Sequence, residues 1–343
     1  MPDIDKLMNV AIGDIDKVIN VSTDDIEKIM GADVPAAAGA AWLGARAVIG
    51  GGWAGSAPSS AIDYWTIAAD VTALDGGVLT NARQCKGGAS NQTVGLWAGG
   101  YDSTGYSNTV DKIANIASVS GAAAFGTLSE SVNGTQFVTN GTLAMRIGGR
   151  TSGSGSDGTN VCEVFTIGDT SGNSAVAHGT LAYLPRRLGA SISGSTRGII
   201  AGGQTTTSLE VIQYKLFAST DNSVDFGNLD DAMETAVGAE DATRGITMGG
   251  DDTSPARSNK VQYFTVDGSS GFTAIDAMNL AGDAGDNQGA GVSDGTYCEL
   301  AAGTSDHDGV QRMTIQALSG TASHVHTLHN TGRYVAGGFS GSS

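Results

Sequence analysis

Three histidines near the C-terminus form the densest group of side chains with metal-binding chemistry. They are His324, His326 and His329 of the segment HVHTLH. On a β-strand, residues two apart project from the same face, so His324 and His326 are weak candidate metal ligands. The flanking sequence adds no cysteine or carboxylate at zinc-site spacing. We therefore predict no metal and no cofactor, and expect polar residues of an inner strand that face a channel.

The acidic and serine-containing loops offer little further chemistry. Segments 250–254, 282–287 and 306–310 carry oxygen ligands of the kind calcium prefers, but none has the spacing of an EF-hand. The serines of GASIS do not stand in a nucleophile elbow. Paired carboxylates occur by chance in a chain with 35 acidic residues, so their presence does not indicate a glycosidase site. We predict that the protein is not an enzyme.

Three aromatic residues are better placed to bind a ligand. Trp53, Tyr101 and Tyr106 lie in segments 53–60 and 101–109, which are rich in the small and polar residues of loops. Loops fixed by a rigid scaffold often carry binding residues, and flat aromatic faces suit sugar rings. These three residues are the predicted ligand- or receptor-binding site.

A repeat of about 50 residues must position these loops. An apolar run closed by a glycine pair recurs, as in RGIIAGG (197–203) and RGITMGG (244–250). The first position of the pair falls at residues 51, 99, 148, 202, 249, 302 and 337, with alanine at 302. Each unit also holds three other short strand-like segments separated by turn residues. Four short strands in such a unit are typical of a β-propeller blade.

The same segments carry a family resemblance. The order RLGAS, RGIIAGG, VIQY and FGNL (187–229) resembles a kelch repeat, and more closely a kelch-like group with FG-L outer phrases found in phage tail and capsid appendage proteins. The similarity covers roughly residues 40–339. It implies an all-β, kelch-like β-propeller. Arg46, Arg146, Arg197 and Arg244 recur beside the glycine pairs, and we expect them to tie one blade to the next.

The number of blades is open between seven and six. Six complete units are followed by a C-terminal segment, HVHTLHNTGRYVAGGFSGSS, after an interval of only 35 residues between glycine pairs. We interpret this segment as an inner and a second strand of a truncated last blade. Seven blades are therefore favoured, and six blades with two surplus strands are the alternative.

The N-terminus carries a second repeat, with an 11-residue register, over IDKLMNVAIGD, IDKVINVSTDD and IEKIMG. Apolar residues at i, i+3 and i+4 predict short helical turns, with one continuous helix as the rival interpretation. We predict an anchoring and oligomerisation arm over residues 1–35 and a propeller over residues 36–343. The apolar stripe of the arm consists of Ile4, Leu7, Ile15, Val18, Ile26 and Ile29.

Charge and composition limit the partners. The net charge of −17 disfavours binding to nucleic acid, and no apolar run is long enough to cross a bilayer. The acidic N-terminus does not have the pattern of a signal peptide. Cys85, Cys162 and Cys298 lie in different units, so we expect three free, buried thiols.

These features and the resemblance together predict a function. We expect a phage virion structural protein, a tail or capsid appendage made in the host cytoplasm. Its arm would bind other virion proteins, and the protein would form a homo-oligomer. Its propeller would face a host-surface glycan or protein, without nucleic-acid binding or membrane insertion. The alternative is a propeller enzyme acting on glycans, or a secreted carbohydrate-binding module.

Overall fold

The structure is a computed structural model that describes residues 42–151, 158–170, 173–183, 188–251, 257–281, 288–303, 308–330 and 333–343. Strands, turns and two short 3₁₀ helices make up these residues, with no α-helix among them. This part of the chain is all-β, as the repeats predict. The predicted arm of helical turns, residues 1–35, lies outside the described residues.

Six of the seven sheets formed by the described strands are each built on four antiparallel strands, which we call inner, second, third and outer. In sheet 1 they are Gly337–Gly341, Arg46–Gly50, Ala61–Thr66 and Leu74–Val78. In sheet 2 they are Gly88–Ser90, Gly95–Ala98, Gly105–Ile113 and Ala123–Val132. In sheet 3 they are Gln136–Thr139, Leu143–Ile147, Val161–Thr166 and Val176–Thr180. In sheet 4 they are Ala190–Ile192, Arg197–Ala201, Leu209–Leu216 and Val224–Met233. In sheet 5 they are Val237–Glu240, Arg244–Met248, Lys260–Thr265 and Ile275–Asn279. In sheet 6 they are Ala290–Ser293, Tyr297–Ala301, Gly309–Thr314 and Ser323–Thr327.

Smaller elements extend this frame. Strands Trp53–Ala54, Ala57–Pro58 and Arg333–Tyr334 form a short three-stranded sheet, and Tyr101–Asp102 pairs with the third strand of sheet 2. The remaining short elements are the strands Asn173–Ser174 and Phe272–Thr273 and the 3₁₀ helices Ile116–Ser118 and Ile315–Ala317.

The second strands are buried on both faces. Five of the six share one burial pattern, with a half-buried first residue and four buried residues after it. This explains why the sequence shows short continuous apolar runs here rather than clean alternation. Each run ends where the chain turns with a positive φ of 59–70°, at Gly51, Gly99, Gly148, Gly202, Gly249 and Ala302. Glycine adopts this left-handed conformation without the steric cost of a Cβ atom.

The sheets contact one another in cyclic order. One buried apolar cluster fills each space between consecutive sheets, and another lies between sheet 6 and sheet 1. The residue before each outer strand also donates its backbone N–H to the outer strand of the preceding sheet, over 2.7–3.0 Å. The donors are Ala73, Ala122, Ala175, Ser223, Ala274 and Ala322, and the acceptors are Thr327, Val78, Thr127, Thr180, Asn228 and Asn279. These bonds partly cover edges that would otherwise be free to pair.

The expectation of seven units is wrong for the described residues, which form six. The C-terminal segment supplies the outer strand of sheet 6 and then the inner strand of sheet 1, instead of beginning a seventh unit. Gly337–Gly341 pairs antiparallel with Arg46–Gly50, with Phe339 opposite Val48. The last described strand thus supplies the inner strand of the first sheet.

Basic side chains tie successive sheets together, as expected for Arg46, Arg197 and Arg244. Each lies over a tyrosine of its own sheet and reaches the end of the third strand in the next sheet. Arg146 stands at a different register position and binds Glu130 of the preceding sheet. Arg146 thus also ties two sheets together, as expected.

Candidate functional site

The alternation of strand direction gives the described sheets two ends. At one end, which we call the glycine end, the second strands stop at the glycine pairs and lead to the third strands. The outer strands also connect to the next inner strand at this end. At the other end, the hairpin end, inner strands turn into second strands, as at 91–94 between Ser90 and Gly95.

The three predicted binding residues meet at the glycine end. The ring centroids of Trp53 and Tyr101 are 6.3 Å apart, and those of Tyr101 and Tyr106 are 5.5 Å apart at 67°. Tyr334, which the sequence analysis missed, lies opposite Trp53 in the three-stranded sheet. All four side chains are half-buried. We call Trp53, Tyr101, Tyr106 and Tyr334 the aromatic cluster.

Short backbone ladders hold the aromatic cluster in place. Trp53 pairs with Pro58 across a tight hairpin, and Tyr101 exchanges two backbone hydrogen bonds of 2.8 and 3.2 Å with Gln84. Asp102 caps the next turn by accepting from the backbone N–H groups of Thr104 and Gly105. Partial burial raises the pKa of Asp102, but these hydrogen bonds outweigh it and hold the pKa below its ordinary value.

Two fully buried arginines stand next to the short ladders that hold the aromatic cluster. Arg83 precedes Gln84, the backbone partner of Tyr101, and Arg333 precedes Tyr334. Arg83 donates to the carbonyl of Gly99 over 2.9 Å and pairs with Asp111 at 2.8 Å. Arg333 donates to the carbonyl of Gly51 over 3.1 Å and pairs with buried Asp63. Each arginine thus fixes the first glycine of the pair that precedes Trp53 or Tyr101. The two segments that carry them, TNARQCKGGAS (80–90) and NTGRYVAGGFS (330–340), share a pattern that could have revealed this equivalence.

The six inner strands surround a narrow space that we call the inner-strand pocket. At its glycine end, the ammonium of Lys86 donates to the carbonyls of Thr235 over 3.1 Å and Gly289 over 3.5 Å. It therefore bridges sheets 5 and 6 from a position beside sheet 2. Burial lowers the pKa of Lys86 to about 7, and the carboxylate of Asp251 opposes that shift.

The hairpin end of the inner-strand pocket is polar and partly filled. Every inner strand, or the residue directly after it, contributes one polar side chain there, and the set is Ser90, Thr139, Ser193, Glu240, Ser293 and Ser340. These residues line a cavity of about 50 Å³ together with Trp42 and Leu43. Burial raises the pKa of Glu240 to about 7, against hydrogen bonds from Ser193 and Trp42 that lower it. The sequence analysis gave no role to Trp42, Lys86 or Glu240.

The weak metal candidates lie on the outer strand of sheet 6, not on an inner strand as expected. His324 is exposed, whereas His326 packs edge-on against Trp65 with the ring centroids 5.4 Å apart. A register shift between their partners, Gln311 and Val310, interrupts the strand pairing. Within the described residues, no three histidine, cysteine or carboxylate side chains are grouped as metal ligands.

The three cysteines are free and buried, as expected. Burial raises the pKa of each thiol, to about 12 for Cys162. Thiols so held stay protonated near neutral pH and are poor nucleophiles. Cys85, Cys162 and Cys298 therefore belong to the apolar packing between sheets.

The chain stands apart in comparisons with known proteins. No protein-family model matches it, and no curated protein matches it significantly. Among the helices of the described residues, none has the length and apolarity needed to cross a membrane.

Proposed function

We propose that the chain forms a six-bladed, kelch-like β-propeller that serves as a phage virion structural protein, displayed as a tail or capsid appendage. Its described sheets are the blades, and its N-terminal arm is the anchor. The aromatic cluster is the surface offered to a host glycan or protein.

The cyclic contacts support the propeller. Buried clusters and edge hydrogen bonds repeat between successive sheets and recur between sheet 6 and sheet 1. The C-terminal strand pairs with Arg46–Gly50 of sheet 1, so hydrogen bonds between the first and last described strands would hold such a ring shut. A ring leaves only short outer edges, and the hydrogen bonds between outer strands partly cover them.

One observation carries the display function: Trp53, Tyr101, Tyr106 and Tyr334 gather at one end of the described sheets, the glycine end. Trp42 lies at the opposite, hairpin end. Four aromatic side chains at a single end suit an appendage that binds its ligand through that end.

The chemistry of the aromatic cluster favours a ligand with flat apolar faces. Tryptophan and tyrosine rings stack on the C–H faces of sugars, and their polar edges remain free to hydrogen bond. The net charge of −17 disfavours polyanionic ligands by long-range repulsion. A neutral host-surface glycan fits both conditions.

The arm is proposed to bind other virion proteins or further copies of itself. A segment of about 35 residues is too short to bury its own core without metals, disulfides or association. The stripe that begins at Ile4 and Leu7 would therefore be buried in an assembly. A variant that lacks residues 1–35 should fold yet fail to join the particle, and normal incorporation would refute the anchoring role.

The binding role is tested by replacing Trp53, Tyr101 and Tyr106 together with alanine. We expect host adsorption of particles to fall at least tenfold, because three stacking surfaces are lost. The matched control is Tyr183→Ala, which removes a tyrosine that is 45% exposed outside the aromatic cluster. Unchanged adsorption by the triple variant would refute the assignment, and turnover of a bound glycan would favour the alternative, a propeller enzyme.

A further inference from the structure

The hairpin end of the inner-strand pocket holds a tryptophan that belongs to no strand. Trp42 precedes the first strand, yet it is only 4% exposed, and Leu43 is 8% exposed. The indole and its backbone therefore occupy a shaped recess.

Three sheets contribute specific contacts to this residue. The indole N–H of Trp42 donates to the carboxylate of Glu240 in sheet 5 over 3.0 Å. The backbone carbonyl of Trp42 accepts from the hydroxyl of Ser90 in sheet 2 at 3.1 Å, and from that of Ser340 in sheet 1 at 3.5 Å. The site thus pairs with both the indole N–H donor and the backbone carbonyl acceptor of Trp42.

The side chains that make these contacts are themselves fixed. Ser90 is 1% exposed, and its single hydroxyl hydrogen is shared between the carbonyls of Trp42 and Ser340, the latter at 2.5 Å. Glu240 is 8% exposed. Phe137 and Phe339 line the same recess and supply apolar surface. An indole is a donor only, so a buried carboxylate beside apolar walls matches its chemistry.

We infer that the hairpin end of the inner-strand pocket is a binding site for an indole-bearing peptide segment, and that Trp42–Leu43 of this chain is its occupant. Its role in display rests on the proposed function, but the binding of indole does not.

Emptying the site in the full-length chain tests the inference. Trp42→Ala should leave a recess that binds free indole saturably, and indole should raise the melting temperature of this variant. The wild-type protein should show neither effect, because Trp42 fills the recess. Trp53→Ala is the matched control, since it removes a half-buried tryptophan elsewhere and should create no indole site. Failure of a folded Trp42→Ala variant to bind indole would overturn the inference.

The hydrogen bond to Glu240 gives a second, chemical criterion. Indole should bind the Trp42→Ala variant about tenfold more tightly than 1-methylindole, which lacks the N–H donor. Adding Glu240→Gln should reduce this preference severalfold. Equal affinity for the two compounds would contradict the assigned contact.

If Trp42→Ala does not fold, Trp42→Phe keeps an aromatic ring in the recess but removes the N–H donor. The pKa of Glu240, followed by carboxyl NMR, should then rise because the carboxylate loses a donor. An unchanged pKa would refute the site. These assays use purified protein without particles, so a failure of the proposed virion function would leave their results unaffected.

Discussion

At the scale of single residues, two ionisable groups mark opposite ends of the inner-strand pocket. Lys86 lies at the glycine end and Glu240 at the hairpin end, and burial moves the pKa of each to about 7. Both shifts favour the neutral form, because charge is costly in a narrow space lined by backbone and small side chains. The pocket is therefore sensitive to pH near neutrality.

The first prediction concerns Glu240→Gln. The folded pKa of Glu240 lies near 7, above its ordinary value of 4.5, so its contribution to stability is full below pH 4.5 and is lost as pH rises through 7. We expect this group to cost the wild-type protein about 3 kcal/mol between pH 4.5 and 8. The glutamine variant should lack that loss. Urea unfolding across this pH range measures the difference, and parallel pH profiles would contradict it.

The second prediction concerns Lys86, whose folded pKa is depressed from 10.5 to about 7. Its contribution to stability is therefore present above pH 10.5, declines as pH falls, and is lost below about 7. Lys86→Met should flatten this part of the stability profile. NMR of the Lys86 side-chain amine should find it titrating near pH 7. Ordinary titration of Lys86 would refute the prediction.

At the scale of elements, one buried polar position repeats in every third strand. The residues are Asp63, Asp111, Glu163, Gln213, Gln262 and Gln311, each at most 1% exposed. Each accepts a backbone N–H from the outer strand of the preceding sheet or from the connection that follows it. Carboxylates occur where a buried arginine is paired with them, and amides occupy the other three sheets. At this position a carboxylate is buried only where an arginine compensates its charge.

The third prediction follows from this pairing. Asp111→Asn should destabilise the fold by about 3–5 kcal/mol, because it leaves the charge of Arg83 buried and unpaired. Glu130→Gln is the control: Glu130 is 32% exposed, and its partner Arg146 keeps Glu163. We expect the control to cost about 1 kcal/mol or less. Chemical denaturation compares the two, and equal costs would contradict the role of burial.

The fourth prediction concerns the turn after the second strand of sheet 6. Ala302 has φ of +60° where the other five sheets have glycine. An L-residue pays about 1 kcal/mol or more in this conformation, so Ala302→Gly should stabilise the protein by roughly 0.5–1 kcal/mol. The reverse change, Gly249→Ala at φ +59°, should destabilise it. Thermal unfolding gives both signs, and a destabilising Ala302→Gly would refute the argument.

The regular spacing of the glycine pairs made much of the fold predictable. The same spacing caused the error in the predicted number of units. The pairs at 51, 99, 148, 202 and 249 mark the ends of second strands because their φ values require glycine. The pair at 337–338 has a different cause: Gly337 and Gly338 lie in an inner strand, packed closely against sheets 2 and 6. The segment VAGGFS (335–340) instead matches KGGAS (86–90), the segment that contains the inner strand of sheet 2. In the sequence, the short interval of 35 residues indicated that this glycine pair differs from the others.

The candidate site was predictable in part for a similar reason. Trp53 and Tyr101 each follow a glycine pair, and the two pairs belong to neighbouring units. The repeat alone therefore predicts that the two side chains lie close together. Lys86 and Glu240 gave no local signal, since Lys86 bonds residues 149 and 203 positions away and Trp42 reaches Glu240 across 198 positions. Environments built from distant segments cannot be inferred from the spacing of one repeat.

At the scale of the whole molecule, the first and last sheets share one boundary. Trp65 of sheet 1 donates its indole N–H to Glu299 of sheet 6, and Arg312 of sheet 6 binds both Glu299 and Asp70 of the connection in sheet 1. The C-terminal strand adds direct pairing to sheet 1 from a connection that leaves sheet 6. Contacts between residues more than 200 positions apart therefore hold this boundary. Loss of these contacts should lower the stability of all six sheets.

The last prediction tests this closure by deleting residues 337–343. The deletion removes the inner strand of sheet 1, exposes the edge of Arg46–Gly50, and takes Phe339 away from Trp97, with which it packs at 4.6 Å between ring centroids. Loss of a buried phenylalanine alone costs about 3–5 kcal/mol, and the lost backbone pairing adds to it. We expect the variant to be unfolded or to lose its single cooperative transition. Deletion of Ser343 alone, beyond the last strand, should change little. A deletion variant that still unfolds in one transition at wild-type stability would show that the six sheets do not depend on the C-terminal strand.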